Sequence, residues 1–265
     1  MKSIVITGGT RGIGYGLADA FLARDCNVTI CGRNAKSLET SIEKLSDKYS
    51  SQKIRGYVAD VRNFEQVQAL WDKAKADFSQ VDIWINNAAL THPRFPLWEK
   101  TPETLAAVVE TNLIGTMYGA KVAISGMLAQ GFGAVYNLEG SGSSGTKVEN
   151  LTLYGTTKYG IRFLTESLVQ ETQGTPIIVG AISPGIVVTD LLTGQYNEQQ
   201  VELWERSKKV LNILADRVET VTPWLAERIL ANQKTGVRIA WLTRAKAIRR
   251  FLSASFSKRN LFEEI

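Results

Sequence analysis

Short apolar runs alternate with longer stretches of mixed polarity along most of this chain. The runs fall at 3–7, 27–32, 54–59, 81–85, 134–138, 177–182 and 237–242, and each reads as a strand. Between them, helices are predicted over 15–23, 35–49, 64–78, 102–128, the stretch around Tyr154 and Lys158, and 218–231. Strand followed by helix, repeated in this way, predicts an α/β class with a parallel sheet covered on both faces. Ligands of such sheets bind outside the carboxyl ends of the strands, where the strand order reverses. The residues just after each run therefore carry the functional reading.

Composition narrows the picture. At 265 residues and 44% hydrophobic, the chain can bury a good core as one domain, without repeats, low-complexity segments or long linkers. Cys26 and Cys31 offer neither a zinc pattern nor a disulfide framework and suit a reducing compartment. A single histidine, His92, counts against a histidine triad and a multi-histidine metal site, so no metal is expected. The first strand starts at once, leaving no room for a targeting peptide ahead of it, and no apolar run approaches the ~20 residues that span a bilayer.

Net charge is +5, and the basic residues gather late. Lys234, Arg238, Arg244, Lys246, Arg249, Arg250, Lys258 and Arg259 follow one another with no acid among them, interleaved with Trp241, Ile248, Phe251, Leu252 and Phe256. Residues 244–265 thus form a basic amphipathic extension, with a helix expected over 245–255. Its basic face would lie on an anionic membrane or partner, or the helix packs on the body or a sister subunit. Nucleic-acid binding is not expected, because the rest of the chain reads as a nucleotide-cofactor enzyme.

The chemistry begins at Gly8-Gly-Thr-Arg-Gly12-Ile-Gly14, between the first strand and the first helix. Gly8 would allow the tight turn, Gly12 the approach of a pyrophosphate to the helix N-terminus, and Gly14 close helix–strand packing. The second strand ends in Arg33, where an acidic residue would favour NAD. Arg33 and Arg11 instead suit the extra phosphate of NADPH, or else are simply solvated. Asp60, after the third strand, would accept from the adenine amino group; Asn86 to Ala88 would lie against the adenosine, and Pro184, Gly185 and Thr189 near the nicotinamide. Tyr154 and Lys158 stand four apart, on one helical face. A phenol has an ordinary pKa of about 10. A cation beside it would lower that value and make it a usable proton donor to a carbonyl receiving hydride.

Taken together, Thr7-Gly8-x3-Gly12-x-Gly14, Asp60, Asn86-Asn87-Ala88, Asn112, Tyr154-x3-Lys158 and Ser183-Pro184-Gly185 resemble the short-chain dehydrogenase/reductase family over nearly the whole chain. The resemblance implies a doubly wound, Rossmann-type sheet of about seven strands in one domain, 1–243, usually in homodimers or homotetramers. It implies cofactor contacts from Gly8, Thr10, Arg11, Gly12, Ile13 and Gly14, from Arg33, Asp60, Val61, Asn87 and Ala88, and from Pro184, Gly185, Ile186 and Thr189. It also implies a tetrad. Tyr154 is the acid/base, Lys158 lowers its pKa and holds the nicotinamide ribose, a serine binds the carbonyl oxygen, and Asn112 anchors a water relaying protons to Lys158. Family spacing selects Ser141 as the serine.

A narrower likeness, in 137–143, 154–158, 183–192 and the tail from Arg238, is to chlorophyll b reductases, where the serine aligns with Ser143. It implies NADPH-dependent reduction of the 7-formyl group of chlorophyll(ide) b to hydroxymethyl. Segment 191–216 would adapt the substrate side, and Phe95, Trp98, Tyr196 and Trp204 would line a wide cleft for a flat macrocycle. Plant members carry transit peptides, so a mature plant form belongs at the chloroplast stroma or thylakoid surface and a bacterial relative in the cytoplasm. The alternatives are another apolar carbonyl (3-oxoacyl thioester, quinone or ketone) or a non-catalytic NADPH-binding scaffold; intact Asn112, Tyr154 and Lys158 speak against the scaffold.

Overall fold

Strand β1 (Ser3–Ile6) is buried along its whole length and sends alternate side chains to opposite sides. Ile4 and Ile6 join one hydrophobic cluster, whereas Val5 joins another. The same division runs through β2 (Asn27–Gly32), β3 (Ile54–Val58), β4 (Ile83–Asn86), β5 (Gly133–Leu138) and β6 (Ile177–Ser183), whereas β7 (Arg238–Ala240) adds only Ile239 to the first cluster. All seven pair in parallel in the order β3-β2-β1-β4-β5-β6-β7. Strands wet on neither face need apolar residues at nearly every position, and for that reason they were readable as runs. The computed structural model describes residues 1–254 and 259–262.

Helices α1 (Gly12–Leu22) and α2 (Ala35–Lys48) cover one face of the sheet, and α3 (Phe64–Phe78) begins the layer on the other. The single helix expected over 102–128 is α4 (Pro102–Val109), a π-helical turn (Glu110–Ile114) and α5 (Gly115–Gln130). Asn112 lies in that turn, where its side chain grips the loop after β4: it donates to the Leu90 carbonyl at 2.9 Å and accepts from the Leu90 amide at 2.7 Å. A π-turn is the geometry that lets a helix carry such a side-chain clamp. Helix α6 (Thr152–Glu171) joins α3 and α5 on the second face.

Segment 191–216 contains α7 (Asp190–Thr193), which starts one residue before it, a 3₁₀ turn (Glu198–Gln200) and α8 (Val201–Leu214). Its last residue, Asp216, makes an isolated parallel bridge with Val187, beyond β6. Helix α9 (Val218–Ala231) completes the first face, and α10 (Arg244–Leu252) follows β7 and rests beside α8. Ser255, Phe256 and Lys258 of the expected amphipathic tail lie outside the described residues. Among the described residues no helix is long and apolar enough to cross a membrane.

The order reverses at β1, which has β2 on one side and β4 on the other. The crevice between the carboxyl ends of β1 and β4 is therefore where the fold offers a ligand site.

Candidate active site

At that crevice, hydrogen bonds tie the two strand ends together. Thr7 Oγ1 accepts from the amides of Asn87 and Ala88 at 3.0 and 3.1 Å, and Asn87 Nδ2 donates to the carbonyls of Thr7 and Gly8 at 2.8 and 2.9 Å. Gly8 and Gly12 have left-handed φ values of 65° and 55°. A Cβ on Gly8 would stand 2.8 Å from Ala88 Cα, and one on Gly14 would stand 2.3 Å from the Gly8 carbonyl. The floor of the cleft is therefore bare backbone. No side chain caps the start of α1, so its first amides and its positive dipole end stay available to an anion.

The cleft takes in most of the residues expected of it. Gly8, Thr10 to Gly14, Arg33, Val61, Asn87 and Ala88 line one half; Pro184, Gly185, Ile186 and Thr189 line the other. A second hollow adjoins it beyond the end of β2, walled by Arg11, Arg33, Lys36, Ser37 and Lys44, with no acid among the lining residues. Lys36, Thr40 and Lys44 are four apart and share one face of α2. Sequence reasoning missed Lys36, Ser37 and Lys44; the signal was this basic stripe directly after Arg33. Arg11 also reaches across the mouth to Asp190 at 3.2 Å, an exposed pair of little energetic weight.

Helix α6 brings Tyr154 and Lys158 to the inner end of the cleft, 5% and 2% exposed. A Cβ on Gly140 would come within 2.7 Å of the Tyr154 hydroxyl, so the phenol occupies space that only glycine leaves open. In this structure burial sets the direction of the phenol's pKa. Burial drives the Tyr154 pKa well above its ordinary value. The Lys158 ammonium sits 5.7 Å from the ring centroid and donates instead to the Leu138 carbonyl at 3.0 Å. Burial also pulls Lys158 down to about 8, against the opposing pull of Glu139. Glu139 is a buried cleft residue, bonded to Arg238 Nε at 2.7 Å, and sequence reasoning gave it no role. The pair thus rests as a protonated phenol beside a weakly held ammonium proton.

Of the two candidate serines, Ser141 lines the cleft. Ser143 is 1% exposed and closes its own loop, donating to the Gly140 carbonyl at 2.8 Å and accepting from the Gly140 amide at 3.0 Å. Its hydroxyl braces the turn under Tyr154 instead of facing the cleft.

Other expected residues also take structural positions. The Asp60 carboxylate does not line the cleft; the Arg62 guanidinium grips it at 2.7–3.1 Å and holds its pKa below the usual carboxylate range. Asn86 bonds Trp84 and Asn137 inside the sheet. Asn112 binds Leu90 and Thr157 Oγ1, and its carbonyl accepts from Thr116 Oγ1. The four aromatics do not line the cleft. Tyr196 packs on Trp204 at 4.9 Å beneath Arg94, and Trp98 is 84% exposed on a short 3₁₀ turn. Leu90, Leu191, Leu192 and Gln195 supply the outer wall instead.

Comparison with known proteins agrees with this geometry. The family model for short chain dehydrogenase matches residues 2–200. Chlorophyll(ide) b reductase NOL, chloroplastic, of Oryza sativa subsp. japonica is 36% identical over 271 residues, covering 98% of this chain and 77% of its own. The 3-oxoacyl-[acyl-carrier-protein] reductase FabG of Chlamydia muridarum is 32% identical over 198 residues, covering 73% of this chain and 77% of its own. Among solved structures, ElxO with NADP bound superposes with a TM-score of 0.77 at 28% identity, over 90% of this chain and 96% of that one.

Proposed function

From the premise that the chain belongs to the short-chain dehydrogenase family, we propose that it is an NADPH-dependent reductase of the 7-formyl group of chlorophyll(ide) b. The observation that carries the substrate is the reach of the likeness. The rice pigment reductase matches 98% of this chain, whereas the acyl-carrier-protein reductase matches 73%. Segment 191–216 belongs to the substrate side, since Leu191, Leu192 and Gln195 form the cleft's outer wall.

NADPH fits the residues present. The side-chain-free turn and the uncapped start of α1 suit a pyrophosphate, and Arg33, Lys36, Ser37 and Lys44 suit the 2′-phosphate. ElxO, the solved relative, holds NADP. When bound, the nicotinamide supplies hydride to the formyl carbon. Tyr154, kept protonated by burial, gives its proton to the oxygen as negative charge develops there. Ser141 supplies a second donor to that oxygen. Lys158 then stabilises the phenolate left behind, a task it performs only while it carries its own proton. The basic tail that begins at Arg244 is held to this body where it is described, by Arg250 and Arg259 on Asp216 and by Phe262 beside Leu211.

Val109, Met117, Tyr159 and Phe163, 36–69% exposed on α4, α5 and α6, support self-association into a homodimer or homotetramer. The rice relative is chloroplastic, which supports the stroma or thylakoid surface for this chain.

The test is incubation with NADPH and chlorophyllide b while the Soret band reports loss of the formyl group. Tyr154→Phe should bind NADPH and lose turnover. Faster reduction of a 3-oxoacyl thioester, a quinone or a small ketone than of the pigment would overturn the substrate assignment.

A further inference from the structure

Helix α10 is mounted the wrong way round for a surface helix. An amphipathic helix ordinarily buries its apolar stripe and wets its charges. Here Lys246 and Arg250, four apart on one stripe, face the body. The Lys246 ammonium lies 3.1 Å from the centroid of the Trp241 ring. Arg250 donates to Asp216 at 2.8 Å and to the Leu214 carbonyl at 2.9 Å. Asp216 is 4% exposed and also accepts from Arg259 at 2.9 Å and from Trp241 Nε1 at 2.6 Å. The cations thus serve as the mounting.

The opposite side of α10 carries the apolar residues. Ile248, Phe251 and Leu252 are 61%, 49% and 77% exposed. Arg244, Ile248 and Leu252 succeed one another at four-residue steps, and Ala245 with Arg249 form the next stripe, so two arginines flank one apolar patch. Neither Arg244 nor Arg249 pairs with an acid among the described residues. An apolar ridge flanked by unpaired guanidiniums complements an anionic headgroup layer over acyl chains.

We propose that α10 is an interfacial anchor: Ile248, Phe251 and Leu252 enter the surface of an anionic lipid monolayer while Arg244 and Arg249 bind its headgroups. The helix lies on the membrane and does not span it. The mounting also joins this anchor to the site. The Asp216 carbonyl accepts from the Val188 amide and its own amide donates to the Ile186 carbonyl at 3.0 Å each, so the α10 bracket is continuous with the wall of the cleft. Docking there tethers the body that carries the cleft to the phase in which an apolar substrate dissolves.

The experiment is vesicle flotation of the full chain, with NADPH binding and circular dichroism as folding controls. Vesicles of phosphatidylcholine alone are compared with phosphatidylcholine containing phosphatidylglycerol. The wild type should float with the anionic vesicles and dissociate as salt is raised. Ile248→Ser/Phe251→Ser/Leu252→Ser should lower partitioning more than about 100-fold, and Arg244→Gln/Arg249→Gln by about 20-fold. Absence of wild-type flotation, or equal flotation of the apolar triple variant, overturns the proposal. So does a triple variant that falls from dimer to monomer in light scattering while still binding lipid, since the patch would then be a subunit interface. None of these readouts uses turnover, so failure of the pigment assignment would leave them unaffected.

Discussion

Replacing Lys158 by methionine should make the protein more stable and destroy its activity, and the size of the gain follows from burial. The ammonium is 2% exposed and its pKa is pulled from 10.5 to about 8. Each pKa unit is worth about 1.4 kcal/mol, so holding the charged form at pH 7 costs the folded state about 3 kcal/mol. Methionine is of similar length and removes that cost, but it leaves the Leu138 carbonyl without its 3.0 Å donor, a loss of about 1 kcal/mol. The net gain of about 2 kcal/mol corresponds to a rise in Tm of about 5 °C for a chain of this size.

The pH dependence gives an independent check. Between about 8 and 10.5 the unfolded chain holds more protons at this site than the folded chain, so wild-type stability rises with pH across that window. The gap between variant and wild type should therefore close from pH 8 upward and reverse slightly near 10.5. Thermal melts at pH 7, 8, 9 and 10 measure it. A variant that melts below the wild type at pH 7, or a gap that does not change with pH, refutes the reasoning. In the wild type, kcat for reduction should fall as the pH rises through about 8, when the phenolate loses its charged partner.

Three further changes separate the parts of the site. Gly140→Ala sets a methyl group 2.7 Å from the Tyr154 hydroxyl, at a glycine whose φ is not left-handed; kcat should drop about 100-fold with NADPH affinity unchanged, as measured by fluorescence titration. Arg33→Ala should raise the KM for NADPH about 10- to 100-fold while leaving the KM for NADH alone, because only the former presents a phosphate to the basic hollow. Asp216→Asn removes the carboxylate that holds Arg250 and Arg259, and should cost about 2 kcal/mol and open α10 to proteolysis. Burial raises the Asp216 pKa, but bonds from Arg250 and Trp241 outweigh it and leave the value below the ordinary 3.8. The docking energy is thus fully present above about 3.8 and is lost as the pH falls through the folded pKa; the wild-type helix should become protease-sensitive only in strong acid.

What could be read from the sequence was whatever local rules determine. Parallel strands buried on both faces must be apolar runs, and a backbone floor under a phosphate must be glycine, so the sheet, the turn at Gly8 and the cleft halves around Asn87 and Pro184 were legible. The π-turn at Asn112 was not, because a sequence compatible with i→i+4 bonding is equally compatible with one extra residue in the turn. Nor was the fate of Asp60, decided by an arginine two residues on that could as well have faced water.

The tail shows the limit most clearly. Its basic residues were visible and its helix was placed within a few residues, but which face points inward was decided by Asp216, 34 residues from Arg250 and 43 from Arg259. The same holds at the proposed catalytic pair. Four-residue spacing put Tyr154 beside Lys158, yet spacing carries no information about the dielectric around them. Complete burial acts on both groups at once and favours the neutral form of each, which reverses the expected direction for the phenol and weakens the ammonium's hold on its proton. For the proposed reduction, this resting state carries the proton that the reaction consumes. A phenol that stays protonated at neutral pH is always loaded to give a proton, and a lysine near 8 keeps enough charge to hold the phenolate that remains after transfer.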